Sequence, residues 1–444
     1  MSALDLSARD LAAAVRRGDV TPAAIAAETL ARAADRNPAI NAICFLNPGF
    51  EAEADHVAQR LGAGEDLPLA GVPVLIKDNI WVKGLRISQG SRLFADHIAP
   101  EDAEAVRRLR AAGAMVLGIA TCAEFACKGA TNSPYPGITR NPVNPLLGPG
   151  GSSGGSVAAV AAGIVPLALG TDAGGSSRRP PAHTGLCGMK PTYDLIPYGP
   201  SFVEPVWGIS VICPIARDMG DIALAMEVLA GVRAEVPSTL TLAASPDFGT
   251  GQVVEPDVAD NFADVMQVLA KAGIDVQTAA IDWGGIKGHD ILPLQFAGVA
   301  QAYGDAWRAT PEIFDPMIAK QIETGLALTG VEVAAAHQIS HRMRVVLRDA
   351  LDRHGIIATP TTPCPAWLAE LSAPETIAGL PAGPRDHAAF TPQVNHAGVP
   401  ALSLPCGTDR TGLPLGLQLI AGAGCDGALI GAAQLLEPLL KDIA

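Results

Sequence analysis

Aromatic residues are scarce, 4% of 444, and charged residues reach only 17% beside 49% hydrophobic residues. That balance leaves no disordered bulk and describes a globular chain. Positive charge is in deficit: 31 Lys and Arg against 45 Asp and Glu give a net charge of −14. The deficit argues against nucleic acid or an anionic membrane as partner, and its plainest role is solubility. The 8 cysteines (Cys44, Cys122, Cys127, Cys187, Cys213, Cys364, Cys406 and Cys425) form no CxxC pair. No zinc site is expected from them, and scattered thiols in apolar surroundings predict reduced, buried groups in a cytoplasmic protein. The longest apolar stretch, residues 157–169, is too short and too broken by glycine and proline to cross a bilayer. The first residues, Met1 to Leu6, have neither the basic nor the apolar region of a secretory signal. His337 and His341 are four apart, a metal-ligand spacing, but no HExxH accompanies them and a solvated role is expected.

What the chain does have is turn chemistry, with 47 glycines and 36 prolines. Residues 8–17 and 21–35 read as helices, the second opened by Thr21-Pro22, a capping hydroxyl before a proline at the first helical position. Residues 71–76, GVPVLI, read as a buried strand, 102–112 as an amphipathic helix, and 114–118 as another strand. A helix over 153–162 and a strand over 164–169 follow, then helices over 219–231, 258–272 and 330–352, with late strands at 355–359 and 401–405. Alternating helices and strands predict an α/β fold. Residues 240–255 and 274–290 are less regular and read as a solvent-facing insertion.

Two glycine-framed serine loops dominate the pattern. Gly150-Gly151-Ser152-Ser153-Gly154-Gly155-Ser156 precedes the expected helix, and Gly170-Thr171-Asp172-Ala173-Gly174-Gly175-Ser176 follows the expected strand. Flanked by strong element-forming sequence, they read as tight turns rather than a linker. Glycine lets a ligand approach the main chain, and serine offers a hydroxyl as nucleophile or proton relay. Successive N–H groups at Ala173, Gly174, Gly175 and Ser176 can form a concave nest for an oxyanion. Upstream, the apolar run Val74-Leu75-Ile76 ends in Lys77, where desolvation would favour the neutral amine. No Gly-Lys-Ser/Thr follows the first loop, so it is no phosphate cradle.

These pieces resemble the amidase signature family of serine hydrolases. The matching text is VLIKDN around Lys77, PGGSSGGSVAAVAAGIVPLALGTDAGGSSRRP from Pro149 to Pro180, and CGMKPT from Cys187 to Thr192. Weaker family-like text includes NHAGVPALSLPCG from Asn395 and PLGLQLIAG from Pro414. The resemblance implies a central mixed β-sheet flanked by helices on both sides. Its span implies one catalytic domain over residues 1–444, with the signature core at about 70–220 and the insertion at about 235–290. It further implies that Ser176 is the nucleophile, that Lys77 is the base, and that Ser152, on a cis peptide bond, relays the proton between them. Ser153 is expected across that bond, and Asp172 and Arg178 as a structural ion pair beside the nucleophile. Arg179 has no matched role. No metal or organic cofactor is expected; the partners would be a small amide and water, with room for a homodimer.

The resemblance thins at the substrate. The glutamyl-tRNA amidotransferase branch carries an Asp just ahead of its FT-x-P-x-N-x-AG segment, where this chain has Ala388 before Phe390-Thr391-Pro392. The usual Asn-Met-Asp-Glu-Phe-Ala reads Thr121-Cys122-Ala123-Glu124-Phe125-Ala126. These departures point to a stand-alone hydrolase of a small amide, urea-like or aryl-amide substrate, with Phe125, Tyr135 and Trp207 as candidate pocket walls. Two alternatives are an amidotransferase-type subunit that needs a partner, and a Ser-His-Asp esterase on Ser153, since residues 151–155 also satisfy G-x-S-x-G and His387 and His396 lie downstream.

Overall fold

The computed structural model describes residues 2–441 and 443. Its spine is a mixed sheet of 11 strands: β1 (Ile43–Leu46), β2 (Pro73–Lys77), β3 (Met115–Ala120), β4 (Leu167–Asp172), β5 (Cys187–Lys190), β6 (Val211–Ala216), β7 (Thr241–Ala244), β8 (Asp275–Thr278), β9 (Ile356–Pro360), β10 (Ala401–Thr408) and β11 (Pro414–Ile420). In space they run β1-β3-β2-β4-β6-β5-β10-β11-β9-β7-β8. Strands β3, β2 and β4 are mutually parallel, as are β9, β7 and β8; the middle of the sheet is antiparallel.

The central strands are apolar without alternation because both faces of the sheet are covered. In β2, Val74 and Ile76 enter one core while Leu75 enters the other. The first core receives helices Met219–Ala230, Pro256–Lys271 and Asp426–Leu440; the second receives Pro22–Ile40, Phe50–Gly62 and Gly154–Ala161. The α/β class and the two-sided layering agree with the sequence reading.

The expected insertion is a correction. Thr241–Ala244 and Asp275–Thr278 pair in parallel with each other, and the first also pairs with β9, extending the sheet by two strands. Their flanking loops carry the irregularity. Each strand has only four residues, too few for a sequence period to show. The second expected helix also runs further, to Ile40, with Pro38 inside it.

Candidate active site

Strands β2 and β4 are parallel neighbours, so their carboxyl ends open on the same side of the sheet. Lys77 is the last residue of β2, and Thr171 and Asp172 close β4. The first serine loop meets them there, at the start of helix Gly154–Ala161. Lys77 is fully buried, and its Nζ lies 2.8 Å from Ser152 Oγ, 2.9 Å from Ser153 Oγ and 2.8 Å from Thr171 Oγ1. No carboxylate pairs with it within 4.0 Å among the described residues. Burial therefore pulls the ammonium down to about 8, against weaker opposing attraction from groups including Asp172.

The three hydroxyls around Lys77 are not equivalent. Ser153 Oγ donates to the Thr171 carbonyl at 3.2 Å, so its proton is already placed. Ser152 Oγ has Lys77 as its hydrogen-bond partner and opens on a cavity of about 350 Å³ that Ser176 also lines. A neutral amine here can accept from Ser152 while its two N–H groups donate to Ser153 and Thr171. Ser153 has Lys77, the Thr171 carbonyl and Ser177 as partners and no histidine, which leaves a triad on Ser153 without its base. His396 lies on the cavity, but its Nδ1 bonds Ser340 Oγ at 2.7 Å, and His387 Nδ1 bonds Arg179.

The cis peptide bond is present, between Gly151 and Ser152. The residue across it is Gly151, not Ser153. A side chain at Gly151 would bring Cβ to 2.8 Å from the Ala130 backbone, which explains why the loop places its glycine there and its serines after it.

Ser176 is 6% exposed and follows the second loop. That loop is held by Asp172, whose carboxylate accepts from Gly175 N–H at 2.7 Å, Ser177 N–H at 3.1 Å, Asn395 Nδ2 at 2.9 Å and Arg178 Nε and Nη2 at 3.0 Å. Burial alone would raise this carboxyl, but the Arg178 charge and these hydrogen bonds hold it far below the usual range. The expected nest therefore loses one member. The Gly175 amide is engaged by Asp172, leaving Ala173, Gly174 and Ser176 with backbone N–H groups that no protein acceptor takes among the described residues. Arg178 is itself saturated, by Asp172, the Thr391 carbonyl, Asn395 Oδ1 and Gln418 Oε1. Asn395 and Gln418 lie in the family-like C-terminal segments; their text was legible, their convergence on Arg178 was not.

Of the three candidate pocket walls only Phe125 lines the cavity, stacked on Tyr303 with ring centroids 3.8 Å apart. Trp207 is a correction: it is 48% exposed, donates Nε1 to the Leu294 carbonyl, and meets His337 edge-on at the surface. Its neighbour Val206 points inward and lines the cavity instead. Tyr135 is a second correction, sitting before cis-Pro136 in the small hairpin of Asn132–Ser133 and Gly137–Ile138, off the cavity. The sequence reading missed Tyr198, Arg179 and Arg385 as lining residues, and the loops carrying Gln252 and Lys287, which come from the supposed insertion.

Among the described residues no group of three or more His, Cys, Asp or Glu is placed to hold a metal ion, and no helix is long and apolar enough to cross a membrane. Turnover is expected to survive dialysis against a chelator. Loss of activity restored by zinc would overturn this.

A mixed sheet covered on both faces thus carries a buried lysine under two glycine-serine loops at the ends of parallel strands. The family model described as Amidase matches residues 24–430, and the chain belongs to that family. It is 33% identical over 477 residues to a glutamyl-tRNA(Gln) amidotransferase subunit of Deinococcus radiodurans, covering 97% of this chain and 96% of that one. Among solved structures it is similar to an amidase at 29% identity and a TM-score of 0.90, covering 98% of this chain and all of the other. It is also similar to a 6-aminohexanoate cyclic dimer hydrolase at 26% identity and a TM-score of 0.87, with 98% and 97% covered.

Proposed function

We propose that this chain is an amidohydrolase that cleaves a small amide, urea-like or aryl-amide substrate through an acyl-enzyme on Ser176. The observation that carries the reading is the contact of buried Lys77 with Ser152, on the cavity that Ser176 shares. Neutral Lys77 takes the Ser152 proton, Ser152 takes that of Ser176, and Ser176 Oγ attacks the carbonyl carbon. The oxyanion is met by the free amides of the second loop. Collapse breaks the C–N bond, the amine leaves with the proton returned through Ser152, and water then cleaves the ester by the same relay. Residues 1–444 form one catalytic domain on this reading, supported by a single sheet whose strands run from Ile43 to Ile420. A cytoplasmic location, suggested by the free cysteines, belongs to the same proposal.

A second reading is a subunit that works only with a partner, favoured by the similarity over nearly the whole chain to the Deinococcus amidotransferase protein. Turnover by the purified chain alone separates the two. A screen of amides, ureas and carbamates with ammonia and amine detection is expected to give hydrolysis without added protein. Inactivity throughout, relieved only by a second chain, would favour the partner-dependent reading.

Glutamine is expected to be a poor substrate. Ala388 is buried on the cavity and offers no carboxylate for an α-ammonium, although Asp386 lines the same wall two residues earlier. An ammonium left without its partner costs roughly 3 kcal/mol or more, so kcat/KM should fall on the order of a hundred-fold below the same amide lacking the amino group. Equal values would assign Asp386 the missing role.

A further inference from the structure

Arg178 and Arg179 are sequence neighbours with opposite fates. Arg178 is saturated by protein acceptors. Arg179 is also buried, at 3% exposure, yet pairs with no carboxylate among the described residues. Its Nη1 lies 2.9 Å from His387 Nδ1, and its Nε has no partner at all. Because a guanidinium only donates, His387 Nδ1 accepts, and burial together with nearby Arg179 and Arg385 keeps that imidazole neutral.

Arg385 lines the same cavity, half-buried, with one hydrogen bond of 3.2 Å to the Cys127 carbonyl and no ion pair among the described residues. Burial, then the charge of Arg385, pulls Arg179 down to about 9. Two like charges are thus held near each other without a counter-ion, an arrangement that costs free energy in the empty protein. Other charges on the wall do not relieve it. Lys128 is taken by Asp315 at 2.5 Å, Lys287 is exposed, and Asp386 accepts from Gly383 N–H at 2.7 Å without pairing to either arginine. Arg179 is also close to the nucleophile loop: a Cβ on Gly175 would meet Arg179 Nε at 2.7 Å.

We propose that Arg179 and Arg385 form an anion subsite beside Ser176, and that the substrate is an amide carrying a carboxylate away from the scissile bond. The inference rests on the amidohydrolase reading for what happens at the amide, but not for the binding of the carboxylate. A guanidinium matches a carboxylate with two parallel N–H groups, and an anion between the two arginines would offset their repulsion. Phe125 and Val206 supply the apolar side of the same cavity for the chain that separates carboxylate from amide.

The test is equilibrium binding by calorimetry to the full chain carrying Ser176→Ala, so that hydrolysis plays no part. Two ligand pairs place the charge on either side of the amide: glutaramate against pentanamide, and N-butyrylglycine against N-ethylbutanamide. At least one carboxylate is expected to bind roughly ten- to a hundred-fold tighter than its neutral counterpart, and the pair that shows it identifies the side. Adding Arg179→Gln or Arg385→Gln should remove most of that preference and leave the neutral ligand's affinity unchanged. If Arg179→Gln does not fold, the half-buried Arg385→Gln carries the comparison. Equal binding of charged and neutral members, no binding of either carboxylate at about 10 mM, or a preference intact in the folded arginine variants would overturn the proposal. A preference that stands while the unmodified chain hydrolyses nothing would instead sink the amidohydrolase reading and leave the subsite.

Discussion

Ser176→Ala is expected to lower kcat by about 10⁶-fold, the scale seen when a nucleophile is removed from a covalent mechanism. On the proposed mechanism the hydroxyl forms the bond to the acyl group, and the two serines of the first loop do not replace it: Ser152 is held by Lys77, and Ser153 has its proton on the Thr171 carbonyl. A fluorophosphonate should label the unmodified chain on the peptide containing Ser176 and leave the variant unlabelled. Ser152→Ala should be milder, about 10²–10⁴-fold, because it removes one proton transfer while the attacking oxygen remains. Labelling that survives Ser176→Ala, or that maps to Ser153, would remove the acyl-enzyme from Ser176.

Both loops, their glycines and Lys77 were legible because close main-chain approach and a buried amine each require particular residue types at particular places. The strands over Pro73–Lys77 and Met115–Ala120 were legible because their apolar runs are long and bounded by turn residues. What was not legible depends on which way a side chain points after a turn. Val206 and Trp207 are adjacent, yet the first lines the cavity and the second is exposed. Gly175 and Ser176 are adjacent in a nest whose amides look equivalent on paper, until the Asp172 carboxylate takes one. The convergence of Asn395 and Gln418 on Arg178 spans more than 200 residues of chain, and no local pattern encodes it.

Lys77→Ala should nearly abolish turnover and, more tellingly, change the pH profile. With burial drawing Lys77 down to about 8 from near 10.5, the proposed relay uses the neutral amine as its base, because the ammonium below that pH donates to three hydroxyls with no lone pair to accept a proton. The rate should therefore rise with pH, with a log–log slope near one at acid pH, and level off above about 8. A second buried lysine provides the control. Lys190 is also drawn down to about 8, by burial and then by the Arg178 charge, but its Nζ donates to the Pro191 carbonyl at 2.7 Å and does not line the cavity. Lys190→Met, if it folds, should keep the inflection, whereas Lys77→Ala should lose it along with the activity. The proposed relay makes Lys77 and Ser152 one unit, so Lys77→Ala combined with Ser152→Ala should be little worse than Lys77→Ala alone. An inflection that persists in Lys77→Ala, or multiplicative losses in the double variant, would show that the proton of Ser176 leaves by another route.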